Sequence, residues 1–417
     1  MEDSMAIIRP FEAIRPVPDL AAKVAALPYD VMDSDEAREM VKDNPYSFLH
    51  VDKAEIDLEP GIDLYDPQVY DKARENLEQM IAKGILQAEP RANLYIYRQI
   101  MNGRSQTGIV ACASIDDYLY NIIKKHELTR KDKEQDRTRH VDHCNAQTGP
   151  IFLTYRAQAE INQLVYAWTQ KPPLYDIVSE DGVAHIIWSI DDDQTIQALV
   201  NQFRQVDYLY IADGHHRCAS AVNVGQLRRQ QNPGFAGDEE YNYFLAVIFP
   251  DEDLHIMDYN REVKDLNGLT SQEFLKQLEE KFAISPHTGS GPYKPEQTHS
   301  FGMYLDGQWY RLQALPGSFN EKDPVASLDV SILQENVLAP LLDIKDPRTD
   351  KRIDFVGGIR GLKELERRVN SDMKVAFSMY PTSIQELMSI ADAGQIMPPK
   401  STWFEPKLRS GFFIHRI

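Results

Sequence analysis

Two periods of apolar residues alternate along the chain. Apolar, β-prone runs predict strands at residues 94–99, 106–113, 183–190, 208–212 and 243–249, and i, i+3, i+4 spacing predicts helices among them. Asn102-Gly103 between the first two runs signals a tight hairpin. Asp33-Ser34-Asp35-Glu36 supplies caps for a helix running toward Lys42 and stopping before Asn44-Pro45. The next run, Ser47 to Val51, reads as a short strand. From Asp66-Pro67 the chain turns helical, with Val69, Ala73, Leu77, Met80 and Ile81 on one face. Ser114 to Tyr118 can continue into a helix, and Asp191-Asp192-Asp193 opens another through Val200 to Phe203.

Beyond about Asp265 the pattern loosens. A helix at Glu273 to Phe282, a Gly/Pro-rich linker at Pro286 to Pro295, a strand pair around Asp306-Gly307 and a helical stretch at Leu328 to Leu342 are expected, followed by a glycine-rich turn at Phe355 to Gly361. The boundaries predicted are an N-terminal α/β region at 1–113, a core at 114–264 and a C-terminal α/β region at 265–417. Alternating strands and helices make the fold class α/β (α+β), with ligand-binding loops at the carboxyl ends of the strands.

The run at 208–212 stops on Asp213-Gly214-His215-His216-Arg217, and the small residues Cys218-Ala219-Ser220-Ala221-Val222 that follow suit a close-packed helix start. A strand-loop-helix junction aims several amide N–H groups at one spot, where the helix dipole favours an anion. Two imidazoles and a guanidinium add to it, and phosphate is the natural ligand. Two other readings stay open here. Asp213 could be a plain N-cap with the basic trio solvated. A metal site on both histidines is the other, although adjacent helical side chains diverge by about 100°.

Charge narrows the partners. Lys and Arg number 45 against 64 Asp and Glu, a net charge of −19, so the average field repels nucleic acid and anionic membranes. No apolar run approaches the roughly 18 residues of a membrane span, and the acidic start lacks a secretory pattern. The expected setting is the cytoplasm, where Cys112, Cys144 and Cys218, with no CxxC spacing, remain reduced.

A second constellation runs from His126-Glu127-Leu128-Thr129 through Lys133, Asp136-Arg137 and Arg139-His140 to Asn145. Phosphoryl transfer uses these types: a carboxylate takes the proton of an attacking hydroxyl while cations hold phosphate oxygens. A solvated helix with i,i+4 ion pairs is the other reading. Asp30 and His50 beside short elements, and Lys400-Ser401-Thr402 with Lys407 near the end, are further groups able to reach a cleft or a phosphate.

Asp213-Gly214-His215-His216-Arg217 after a strand resembles the signature of the ParB/sulfiredoxin-like free-serine kinases. Pro28-Tyr29-Asp30-Val31, Asn44 to Val51, His126 to Thr129, Asp136-Arg137 and Pro398 to Phe404 resemble segments of a bacterial and archaeal family, domain of unknown function ten-fifteen, to which those kinases are related. The resemblance implies a ParB/sulfiredoxin-like mixed-sheet core with N- and C-terminal extensions packed on it. It implies a kinase of serine metabolism that converts free L-serine to O-phosphoserine, or the reverse, with ATP or ADP and magnesium. Glu127 would be the proton acceptor, with Asp213 and His216 also catalytic. Gly214, His215, His216 and Arg217 would bind nucleotide phosphates, Asp213 would orient the loop or Mg²⁺, and Arg137, His140 and Asn145 would hold the substrate. The alternative is a ParB-like nucleotide-binding regulator without kinase activity. Nucleotide and a small amino acid or alcohol are the expected partners, with neither nucleic acid nor membrane.

Overall fold

Asn102 and Gly103 take positive φ, 53° and 76°, the left-handed pair that closes a two-residue turn. They join β1 (Leu94–Met101) to β2 (Arg104–Ser114), the hairpin expected from sequence. Six more strands extend it: β3 (Ile123–Lys124), β4 (Ile151–Tyr155), β5 (Tyr175–Val178), β6 (Ala184–Ile190), β7 (Leu209–Asp213) and β8 (Tyr243–Pro250). Their order is β3-β7-β4-β8-β2-β1-β6-β5, with the short Ile8–Arg9 strand paired on β2. The β3–β7 and β4–β8 pairs are parallel and the rest antiparallel, so the sheet is mixed and the fold α/β, as the sequence predicts. Leu94, Ile96, Ile109, Leu153, Ile211 and Ile248 of the strands share one buried cluster with Leu199 and Phe203. Each such side chain stabilises the fold by about 1.5–3 kcal/mol.

The sequence-predicted helices form largely where expected. In α1 (Ser34–Val41), Asp33 accepts from the amides of Asp35 and Glu36 while the Glu36 carboxylate accepts from that of Asp33, a capping box. The 47–51 run corrects the reading: it is not a strand but leads into one helical turn, α2 (Leu49–Asp52). Phe48, Leu49 and Val51 share a buried cluster with Val69, Ala73 and Leu77 of α3 (Pro67–Ala82). A short apolar run carries no period of its own, and this docking decides its conformation. Next come α4 (Lys131–Cys144), packed on α3, α5 (Asp193–Phe203), and α6 (His215–Gln231), packed on α4.

The computed structural model describes residues 5–417. They divide into one unit that runs up to Leu254 and includes Pro406–Ile417, and a second, His255–Glu405. The boundary expected at 113 is therefore not a domain boundary, because strands on both sides of it share one sheet. The boundary expected at 264 falls instead at Leu254, and the last residues return to the first unit. Ser410 bridges to Ala26 and Ile414 to Ile14, with Phe412, Phe413 and Ile414 buried. Among the described residues all three cysteines are free and buried, and no helix is long and apolar enough to cross a membrane.

The second unit is built on a six-stranded antiparallel sheet that includes Tyr259–Val263. On this strand Glu262 is fully buried with Arg368 Nη1 3.5 Å away, and neither carboxyl oxygen has a hydrogen-bond partner among the described residues. Burial pushes its pKa up to about 7, although Arg368 opposes the shift. The folded chain therefore holds a proton that the unfolded chain has lost, and the associated stability declines as pH rises from about 4.5 through about 7. Melting curves between about pH 5 and about pH 8 are expected to show a falling melting temperature, with a smaller fall in Glu262→Gln. An unchanged slope in that variant would remove Glu262 as a source.

Candidate active site

Against β4, Tyr210 of β7 pairs with Thr154, Ile211 with Leu153 and Asp213 with Phe152, so Ala212 is extra. Such a bulge re-aims the residue after it, here Asp213. Gly214 caps α6 with φ 88° and ψ 33°, a conformation natural to glycine. An added Cβ would also lie 3.2 Å from three atoms of the Arg217 guanidinium. The first-turn amides of α6 lack intrahelical acceptors and face an anion-favouring field. Asp213 Oδ1 accepts the Gly214 N–H at 2.9 Å, and Oδ2 accepts from Lys407 Nζ at 3.1 Å. Burial opposes the Asp213 charge, but Lys407 and Arg217 outweigh it and hold the pKa well below the usual carboxylate range.

Arg217 lines a cleft of about 430 Å³, open solvent included, together with Tyr29, Asp52, Arg137, His140, Thr148 and Gly149. Its Nη1 donates to Pro150 O at 2.5 Å, while its buried Nε has no hydrogen-bond partner among the described residues. Burial disfavours the Arg217 charge, but Asp30 and Asp213 stabilise it. Arg137 lies over the Tyr29 ring at 4.2 Å, and its Nε donates to Asp136 Oδ2 at 2.9 Å. Tyr70 fixes Asp136 from the other side through a 2.9 Å hydroxyl bond. The Asp52 carboxylate accepts from the Thr148 hydroxyl at 2.6 Å. His140 Nε2 donates to Val51 O at 3.0 Å, and burial followed by the Arg137 charge lowers its pKa.

A second group forms because β3 and β7 run parallel, with Ile123 opposite Leu209 and Lys124 opposite Tyr210. Residues just past the two strands emerge at the same sheet edge, which brings His126 and Glu127 beside the Asp213 loop. The His126 and His215 rings meet edge-on with centroids 4.5 Å apart, and Glu127 Oε2 is 3.8 Å from His215 Nδ1. Both imidazoles are buried, yet among the described residues no hydrogen bond of good geometry reaches Nε2 of His215 or either nitrogen of His126, which has only the Ile211 backbone near it. An unsatisfied buried polar group costs about 1–3 kcal/mol. Burial lowers the His126 pKa to about 4, and burial and then His126 push that of His215 well below normal, so both rings are neutral near pH 7. His216 turns elsewhere: its Nε2 accepts the Arg130 N–H at 3.0 Å, which puts its proton on Nδ1.

The sequence-predicted residues thus divide. Arg137, His140 and Arg217 share the cleft; Glu127 and His215 belong to the second group and are not among the cleft-lining residues; Asp213 and Gly214 lie between, with the Asp213 charge felt by Arg217, His126 and His215. Asn145 joins neither. It ends α4 in the left-handed conformation at φ 49°, and its carbonyl accepts the Ile417 N–H at 3.2 Å. His50 pairs with Asp57 at 2.9 Å and is not a cleft-lining residue, whereas the Asp30 charge acts on both Arg217 and His216. Lys407 reaches the site by way of Asp213. Sequence reasoning missed Asp52, Tyr29 and Thr148 as cleft walls and His126 as the neighbour of His215. The 28–31 and 126–129 segments drew notice, but only the sheet pairing assigns them a place.

Residues 8–331 match the model of a family described as a protein of unknown function, DUF1015. The chain belongs to that family. No curated protein matches this DUF1015 member. Among solved structures it is similar to a free serine kinase mutant in complex with AMP, at 12% identity and a TM-score of 0.36, over 73% of this chain and 92% of that one. A conserved hypothetical protein from Pyrococcus furiosus is 14% identical with a TM-score of 0.35, over 74% of this chain and 95% of that one. SbnI with a C-terminal truncation, from Staphylococcus aureus, is 12% identical with a TM-score of 0.38, over 73% and 87%.

Proposed function

We propose that this DUF1015 member is a nucleotide- and Mg²⁺-dependent phosphotransferase acting on the hydroxyl of a small amino acid, free L-serine foremost, to give O-phosphoserine. The observation that carries this reading is the one cleft that holds Arg217, from the first turn of α6, together with Arg137 and the Asp52 carboxylate. A guanidinium at a helix N-terminus suits phosphate. A second guanidinium near a carboxylate suits the two charges of an α-amino acid. The likeness of Asp213 to Arg217 to the free-serine kinase signature supports the same acceptor.

In the transfer, the serine oxygen bonds to the terminal phosphorus of ATP or ADP as the bond from that phosphorus to the leaving nucleotide breaks. Glu127 takes the hydroxyl proton, and Arg217, His216 and the first-turn amides of α6 meet the charge on the phosphoryl oxygens. Mg²⁺ neutralises phosphate oxygens in such reactions. Asp213 fits poorly as its ligand, because one oxygen accepts from Gly214 and the other from Lys407. Asp30, whose charge acts on Arg217 and His216, fits better. Asp213 is then a positioning residue for the loop. Unbridged cysteines support a reducing, cytoplasmic setting.

Phosphorus NMR of the protein with Mg²⁺, L-serine and ATP or ADP is expected to show O-phosphoserine, and O-phosphoserine with ADP or AMP the reverse. Nucleotide bound by calorimetry without turnover in either direction would overturn the reading in favour of a nucleotide-binding regulator.

A further inference from the structure

We propose that His126, Glu127 and His215 form a three-ligand site for a divalent transition-metal cation of the zinc type. One ligand atom from each residue lies within 4.8 Å of the other two, a grouping of two imidazoles and a carboxylate. Glu127 Oε2 and His215 Nδ1 are 3.8 Å apart, too far for a hydrogen bond. Ligands about 2.0–2.1 Å from a tetrahedral Zn²⁺ lie about 3.3 Å from one another, so closing on an ion needs only a small inward shift.

The second observation is independent of the spacing. His126 and His215 are 2% and 6% exposed, yet among the described residues no hydrogen bond of good geometry reaches Nε2 of His215 or either nitrogen of His126, which has only the Ile211 backbone near it. Packing alone would favour an apolar side chain at such a position. A cation gives one nitrogen of each ring a partner, and the nearby Asp213 carboxylate favours positive charge. The Glu127 side chain is 41% exposed, which leaves one side of the ion open to solvent. Three protein ligands with an open fourth position are the pattern of a reactive zinc centre rather than a closed structural one. The imidazoles select against Mg²⁺ and Ca²⁺, which prefer all-oxygen sets.

The site shares Glu127 with the phosphotransferase reading but does not depend on that reading, and its test uses neither nucleotide nor serine. Chelator-treated full-length protein is titrated with Zn²⁺ by calorimetry and with Co²⁺ by visible absorption, beside His126→Asn and Glu127→Gln variants whose folding is checked by circular dichroism. One equivalent of each metal in the wild type, with affinity reduced at least the roughly 10- to 100-fold typical of disturbing a metal's surroundings in both variants, is the expected result. No stoichiometric binding in the wild type, or undiminished binding in both folded variants, would overturn the proposal. Should His126→Asn fail to fold, Glu127→Gln, changed at a half-exposed position, decides alone.

Discussion

Arg217→Ala is expected to weaken nucleotide binding by about 10- to 100-fold and to abolish detectable O-phosphoserine formation. A charge-assisted hydrogen bond contributes about 1.5–3 kcal/mol, which sets the binding loss. Turnover suffers further, since the guanidinium also meets charge that builds during transfer. The side chain is placed for this by three contacts: the 2.5 Å bond to Pro150 O, the close approach to Gly214 and the charges of Asp30 and Asp213. Arg217→Lys keeps the charge but loses the planar fork, so it is expected to recover binding more than turnover. Calorimetry with ATP and with ADP, paired with phosphorus NMR, separates the two effects. Nucleotide affinity unchanged in folded Arg217→Ala would remove Arg217 from the phosphate site and with it the carrying observation of the proposed function.

How much of this was legible in the sequence depends on how local the cause was. Asn102-Gly103 and the Asp33 cap act within a few residues, and both formed as expected. The Asp213 to Arg217 loop was visible for the same reason: a strand, a glycine and a helix start are local signals. The 47–51 run was misread because its apolar residues dock on α3, a contact far along the chain. The domain boundaries were misplaced because β1 and β2 pair with strands beyond residue 114, and nothing in either segment announces its partner. The site follows this division. Arg137 and Arg217 drew attention as cations, but Asp52 became a cleft wall only when its segment turned out helical. Asn145 drew attention by its chemistry, yet its backbone conformation gives it the task of ending a helix. Adjacent histidines were rightly expected to diverge. His215 instead meets His126, through the parallel pairing of β3 with β7.

Glu127→Gln is expected to lower turnover by the ~100- to 10,000-fold typical of losing a general base, with nucleotide affinity nearly unchanged. The glutamine keeps the shape but is no proton acceptor at neutral pH. Glu127 stands beside His215, one residue into α6, so the variant leaves Arg217 and the first-turn amides in place. Two effects must be separated, because a cation on His126, Glu127 and His215 would occupy the oxygen that accepts the proton. Turnover is therefore measured on chelator-treated protein supplied with Mg²⁺ alone, and again after one equivalent of Zn²⁺. A large drop in the zinc-free variant, with zinc slowing the wild type but not the variant, assigns proton acceptance to Glu127 and shows the two roles to be mutually exclusive. Equal zinc-free turnover in wild type and variant would take Glu127 out of the transfer step. The acceptor's proton would then have to leave from the cleft itself, where Asp52 is the carboxylate at hand.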